Sequence, residues 1–200
     1  PSIPVCGGMA GDNGEFLKTF ISSQSTILEH GVVGVSLNSD CLDVSTDFKF
    51  DWKTIGLEHT IEKADGNRIY QIDDMTPVKF YEKYLGSQIS PTEFPLIIEK
   101  NGIARARAVI SKNDDGSVHC SGNFQKGDKV RIGFGDAKSL LTDPTKAMNR
   151  LNTKDVQTFF IYSCMARRRY IPDLIHLEIA PFSKLAPSVG FFTYSEFYHE

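Results

Sequence analysis

His59-Thr60-Ile61-Glu62-Lys63-Ala64-Asp65-Gly66-Asn67-Arg68-Ile69-Tyr70-Gln71-Ile72 is the stretch whose reading decides the fold. Two extended segments rich in β-branched and aromatic residues flank Asp65-Gly66-Asn67, a turn sequence that tolerates φ > 0. The stretch therefore predicts an antiparallel hairpin with a turn of about three residues. Upstream, Phe16 to Ser22 and Val32 to Asn38 read as strands with His30-Gly31 as a turn between them, and Cys41 to Ser45 reads as a further extended piece. Downstream the period changes. Thr76 suits a helix N-cap, Pro77 the first helical position and Gly86 the residue past the end. Val78, Tyr81 and Leu85 then share one face, with Phe80 and Tyr84 beside it.

The pattern returns to strands at Phe94 to Glu99, turns at Asn101-Gly102, and runs on from Ile103 to Ile110. Along that last run Arg105 and Arg107 share a face with Ile103 and Val109, opposite Ala104, Ala106, Ala108 and Ile110. Asn113-Asp114-Asp115-Gly116 marks a turn before strands at Ser117 to Ser121 and Lys129 to Phe134. Helical sequence follows from Ala137 to Leu151, then a strand at Val156 to Ser163, a short helix at Pro172 to Ile179 and a last strand at Gly190 to Phe197. Strands and helices do not alternate regularly. The expected class is α+β, with mostly antiparallel sheets flanked by a few helices in two closely associated subdomains. The expected boundary falls just before the first helix, giving 1–75 and 76–200.

Composition removes several function classes. The chain has 200 residues, with 14 Phe, 7 Tyr and a net charge of −3, so it holds enough apolar material for a core and does not read as disordered. Near-neutrality supplies no field for nucleic acid or an anionic membrane, and no apolar run approaches the length of a membrane span. Cys6, Cys41, Cys120 and Cys164 have no CxxC spacing, which reads as four free thiols in a reducing cytosol, with two disulfides as the alternative.

Few residues carry chemistry on their own spacing. Gly7 to Gly14 has four glycines in eight residues but no GxxxxGK[ST] pattern, so it reads as a tight turn lining the wall of a pocket, with a phosphate cradle as the alternative. His30, His59, His119, His176 and His199 show no metal-ligand spacing. Cys164 ends a strand and precedes Met165-Ala166-Arg167-Arg168-Arg169. A thiol beside guanidinium groups and a helical turn is expected to have its pKa lowered. The arginines match an anionic ligand, and Glu178 and Glu196 supply carboxylates downstream. No histidine stands near as a base, so the pattern favours binding over covalent catalysis.

At these residues a resemblance enters. Phe160-Ile161-Tyr162-Ser163-Cys164-Met165-Ala166-Arg167-Arg168 resembles the F-S-C-x-x-R block of the FIST domain. Glu178 and Gly190-Phe191-Phe192-Thr193-Tyr194-Ser195-Glu196-Phe197 are similar to its later Glu and its G-F-x-T-Y-G-E-[IF] block, with Ser195 where the family usually has Gly. Pro4-Val5-Cys6-Gly7-Gly8-Met9-Ala10-Gly11-Asp12 resembles the glycine-rich piece of the N-terminal FIST region. Asp65 to Asp73 and Tyr81 to Gly86 resemble the segment joining the two regions. The resemblance implies that 1–75 is the distal part of the N-terminal FIST region and 76–200 the C-terminal region cut near its end, as if excised from a longer protein.

The implied function is a sensory input module, without turnover, in a bacterial cytoplasmic signalling protein. Its implied partners are a small ligand such as an amino acid and a fused output domain, for example a diguanylate cyclase (GGDEF), phosphodiesterase or kinase. The expected ligand-binding residues are Cys164, Arg167, Glu178, Tyr194 and Glu196. The resemblance also implies an alternative, a haem-binding nitric-oxide sensor, for which His59, His176 and Cys164 are the available axial-ligand types. A thiol enzyme using Cys164 stands third.

Overall fold

The computed structural model describes residues 3–50, 52–136, 151, 155–170 and 172–199. It divides the chain into two compact units, Phe50–Asp136 and Pro1–Lys49 with Ala137–Glu200. The class is α+β with predominantly antiparallel sheet, as the sequence predicts.

In the first of these units the hairpin is present. β4 (Trp52–Asp65) and β5 (Arg68–Ile72) pair antiparallel with Asp65 opposite Arg68, so Gly66-Asn67 alone makes the turn. α1 (Pro77–Leu85) starts at Thr76 and stops at Gly86, whose φ of 90° ends the helix. β6 (Leu96–Lys100), β7 (Ile103–Arg107), β8 (Val109–Lys112), β9 (Val118–Cys120) and β10 (Lys129–Gly135) complete a seven-stranded sheet in the order β7-β6-β10-β4-β5-β9-β8. Every neighbouring pair is antiparallel.

The expected single strand from Ile103 to Ile110 is two strands, and the break at Ala108 has a physical cause. β7 bonds to β6 at one end of the sheet and β8 to β9 at the other, so the chain changes partner within one residue. The sheet therefore rolls up until its two ends meet at Ala108. Ser121 fixes the join: its N–H donates to the Ala108 carbonyl at 2.8 Å, and its Oγ accepts the Ala108 N–H at 2.9 Å. A bulge in β4 bends the opposite side, where Gly56, Glu58 and the residue between them face Arg131 alone.

Rolling encloses Ile61, Ile69, Ile72, Leu96, Ile98, Val118, Val130 and Ile132, all nearly or fully buried. α1 adds Phe80 and Tyr81, and the Tyr81 hydroxyl donates to the Phe94 carbonyl at 2.7 Å, which satisfies its polar end.

The second unit is built from smaller sheets. β1 (Val5–Gly8) pairs antiparallel with β13 (Glu196–His199), and β2 (Ile21–Ser23) with β3 (Thr26–Leu28). β11 (Phe159–Cys164) pairs with β12 (Ser188–Thr193) in parallel. The parallel pair needs a crossover, and α2 (Met165–Tyr170) and α3 (Ile175–Ser183) lie in it.

Three expectations change in this unit. Gly190 to Phe197 is interrupted at Tyr194-Ser195, where the chain leaves β11 as partner and takes up β1. Phe16 to Ser22 is extended only at its end, and the β2–β3 turn lies at Gln24-Ser25. Val32 to Asn38 forms no strand; its apolar residues Val32, Val35 and Leu37 are exposed and no described strand pairs with them. The expected helix over Ala137 to Leu151 lies, but for Leu151, outside the described residues.

Ile69, fully enclosed within the rolled sheet, sets the scale of the core. Ile69→Ala is expected to destabilise this unit by about 2–5 kcal/mol. Urea unfolding followed through Trp52, the one tryptophan of the chain, reads that loss directly.

Candidate functional site

The predicted site residues all fall in the unit formed by the two ends of the chain, around the last residues of β11 and β12. Cys164 closes β11 and sits opposite Thr193 of β12 in register. The backbone turns at once into α2, so the N–H groups of Ala166 and Arg167 point at the sulfur. These donors and the Arg167 charge favour a thiolate, but burial and the nearby Glu196 carboxylate oppose it more strongly. The Cys164 thiol is pushed up, not down as the sequence predicts. The adjacent guanidinium was the legible part of this environment; desolvation and Glu196 were not.

Of the arginine run only Arg167 turns inward, while Arg168 and Arg169 remain exposed. Arg167 is 8% exposed, and its Nη2 lies 3.0 Å from Oε1 of Glu178, which α3 brings in from its first turn. Arg168 lies over the Phe192 ring, with 5.3 Å to the centroid. Arg169 packs on Gly14, where a Cβ would fall 2.4 Å from the guanidinium carbon. Glu196 accepts a hydrogen bond from the Thr193 hydroxyl, and Thr193 is fully buried against Gly8. Cys164, Arg167, Glu178 and Glu196 thus form one electrostatically linked group.

Tyr194 belongs to an adjoining arrangement that includes a residue the sequence reading left out. Its hydroxyl donates to Asp12 Oδ1 and accepts the Gly14 N–H at 2.6 Å, and Phe16 stacks on its ring at 4.8 Å. Asp12 also accepts the N–H groups of Phe16, Leu17 and Lys18 at 2.9, 2.6 and 3.0 Å. The Tyr194 hydroxyl first, and then these backbone donors, hold the Asp12 carboxyl well below the usual carboxylate range. Reciprocal bonds from Met9 N to Ser195 O and from Tyr194 N to Met9 O clamp the loop onto the β12–β13 turn.

The glycine loop is therefore a clasp closed on its own carboxylate. Gly14, at φ 87°, supplies the left-handed turn this requires. The signal for Asp12 was present in the sequence: a lone acid within the glycine run, followed by Asn-Gly.

The haem alternative meets a poor fit at the available ligand types. In the Phe50–Asp136 unit His59 is 7% exposed, with Nδ1 2.7 Å from Asp73 Oδ2 and its ring packed against Phe80 and Tyr84. Cys164 favours the thiol over the thiolate that would bind iron. His176 is exposed on α3. His59 and Cys164 are thus engaged by their own surroundings, and His176 stands on the surface. The four cysteines are free, so the disulfide alternative does not hold.

Two outcomes follow from these environments. Alkylation at pH 8 with mass-spectrometric readout should label exposed Cys6 and Cys41 before Cys164 and before Cys120, whose burial pushes its thiol up to about 12. Asp12 has a depressed pKa, so its tether is present above the ordinary carboxylate range and is lost only on acidification below it. Limited trypsinolysis after Lys18 should accordingly be slow and uniform from about pH 6 to 8, where Asp12 is fully ionised. In Asp12→Asn it should be markedly faster across that window.

Comparison with known proteins identifies the family. A family model described as FIST N domain matches residues 1–75, and one described as FIST C domain matches residues 77–199. No curated protein and no solved structure matches the chain. Among the described residues no helix is long and apolar enough to cross a membrane.

Proposed function

We propose that this chain, which belongs to the FIST family of sensory domains found in signalling proteins, recognises a small zwitterionic ligand of the amino-acid class through the Cys164, Arg167, Glu178, Tyr194 and Glu196 group. The observation that carries this reading is the Arg167–Glu178 pair, 3.0 Å apart with side chains only 10% and 13% exposed. A buried ion pair contributes little net stability compared with apolar packing, so stability alone gives weak reason for one here. A zwitterion carries both countercharges. Its carboxylate matches the Arg167 fork, and its ammonium matches Glu178 and the neighbouring Glu196. The pair is exchanged for two new pairs, so neither buried charge is left uncompensated.

The remaining residues support recognition without turnover. Cys164 is held as a thiol, which suits packing against a ligand better than attack on one. Tyr194 closes the Asp12 clasp next to Thr193 and Glu196, so a ligand that engages Glu196 bears on the same short turn. In this reading the glycine clasp is the element whose closure depends on occupancy. It would pass the signal to a fused output domain such as a diguanylate cyclase, phosphodiesterase or kinase, in a bacterial cytoplasmic protein.

Isothermal titration of the 200-residue chain against the twenty amino acids tests the reading. At least one should bind saturably, and Arg167→Lys, which keeps the charge but loses the fork, should weaken it by about tenfold or more. Silence across the panel overturns amino-acid recognition.

A further inference from the structure

Arg105 and Arg107, which the sequence places on one face of a strand, have no part in the site above. They lie on β7, at the join where the rolled sheet closes. The other arginines of this unit have acidic partners: Arg68 with Asp115 at 2.8 Å and Arg131 with Glu58 at 3.9 Å. Among the described residues, no carboxylate comes within 4 Å of Arg105 or Arg107.

Arg107 is also held in a seat. It is partly buried, and its Nε is enclosed with no hydrogen-bond acceptor in reach. The guanidinium lies flat against Gly122. A Cβ there would fall 2.4 Å from Cζ and Nη1 and 2.6 Å from Nε. Gly122 has no left-handed φ to account for its lack of a side chain, so the missing Cβ makes room for the guanidinium.

The one acidic group that acts on Arg107 among the described residues, the Cys120 thiol, does not compensate the charge. Cys120 is fully buried beside Arg107, and burial keeps its thiol protonated up to about 12. Burial and the like charge of Arg105 both press against the Arg107 cation, yet a guanidinium does not release its proton in a protein. The seated Arg107 and the exposed Arg105 therefore stand two residues apart on β7, with no carboxylate partner among the described residues. Beside them the Ser121 Oγ has accepted the Ala108 N–H, which leaves its own O–H free to donate.

We propose that this join is a phosphoryl-binding site, with Arg107 as the seated fork, Arg105 as the second cation and Ser121 as a hydroxyl donor. A phosphoryl dianion matches both the charge and the planar donor geometry, whereas a monocarboxylate offsets one charge of the two. A guanidinium already fixed against Gly122 loses little freedom on binding, which favours affinity. The site is separate from the Arg167–Glu178 group and does not depend on the amino-acid reading.

The test uses the 200-residue chain, ¹⁵N-labelled, with the Arg107 Nε–Hε resonance as reporter at constant ionic strength. Inorganic phosphate and glycerol 3-phosphate are titrated separately, with acetate as the monoanion. A saturable shift with either phosphate, at least about tenfold tighter than with acetate, supports the site. Tighter binding of the ester identifies a phosphate monoester as the ligand, and equal binding identifies the phosphoryl group alone. Arg105→Gln should weaken binding by about tenfold. Gly122→Ala keeps every charge but displaces the flexible end of Arg107, and should weaken binding to a similar degree. Its effect separates a built seat from net charge, and Arg107→Gln, followed through the Ser121 amide, should abolish saturation. A shift that climbs linearly with phosphate, an acetate affinity equal to that of phosphate, or an unchanged affinity in Gly122→Ala overturns the proposal.

Discussion

Closure of the seven-stranded sheet rests on one residue taking part in both of its ends. Ala108 lies between β7 and β8, which are the outermost strands, and Ser121 bonds it through both backbone and side chain. An open sheet of this size would present two rows of unsatisfied N–H and C=O groups to solvent. Because consecutive strands occupy opposite ends, the chain itself draws those ends together. The apolar residues of β4, β5, β6, β9 and β10 are then forced into one interior, with Phe80 and Tyr81 of α1 among them. The same geometry fixes Arg107 beside Gly122, so the feature that closes the core also leaves a rigid cation at its margin.

The unit formed by the two chain ends is organised by polar contacts more than by apolar ones. Phe160, Val189 and Phe191 on its parallel strand pair are about half exposed, while Arg167, Thr193 and Ser163 are nearly or fully buried. Its order comes from the Arg167–Glu178 pair, the Thr193–Glu196 bond and the Asp12 carboxylate with its tyrosine and backbone donors. Interactions of this kind are directional. They hold a few groups in fixed geometry, and each buried one is costly to leave unsatisfied. Fixed polar geometry of this kind is what the proposed small-molecule recognition requires.

Local signals carried much of this into the sequence. Thr76, Pro77 and Gly86 bound the helix because caps depend on the residues at the ends themselves. The Asp65 to Arg68 turn was legible for the same reason, with Gly66-Asn67 sufficient by themselves. What the sequence hid were changes of partner. Ile103 to Ile110 and Gly190 to Phe197 each read as one strand because composition on either side of the break is equally strand-like. Nothing in composition says that Ala108 or Tyr194-Ser195 is where the chain moves to a new neighbour. The candidate site residues were chosen through resemblance and residue type. Their electrostatics were not, since Cys164 lies next to arginines in sequence but next to Glu196 in space.

Strand β1 has one further consequence, for the order in which the molecule is made. Val5 pairs with His199 and Gly8 with Glu196, so β1 leaves the ribosome long before β13, the strand it bonds to. Synthesis runs from the N-terminus, and contacts distant in sequence form late. The Phe50–Asp136 unit, being continuous, has all its strands outside well before translation reaches β13. Until then β1 waits with its hydrogen-bonding groups and Val5 uncovered, a segment that chaperones have reason to hold. The β1–β13 pair therefore forms only after the strands of the rolled sheet have emerged.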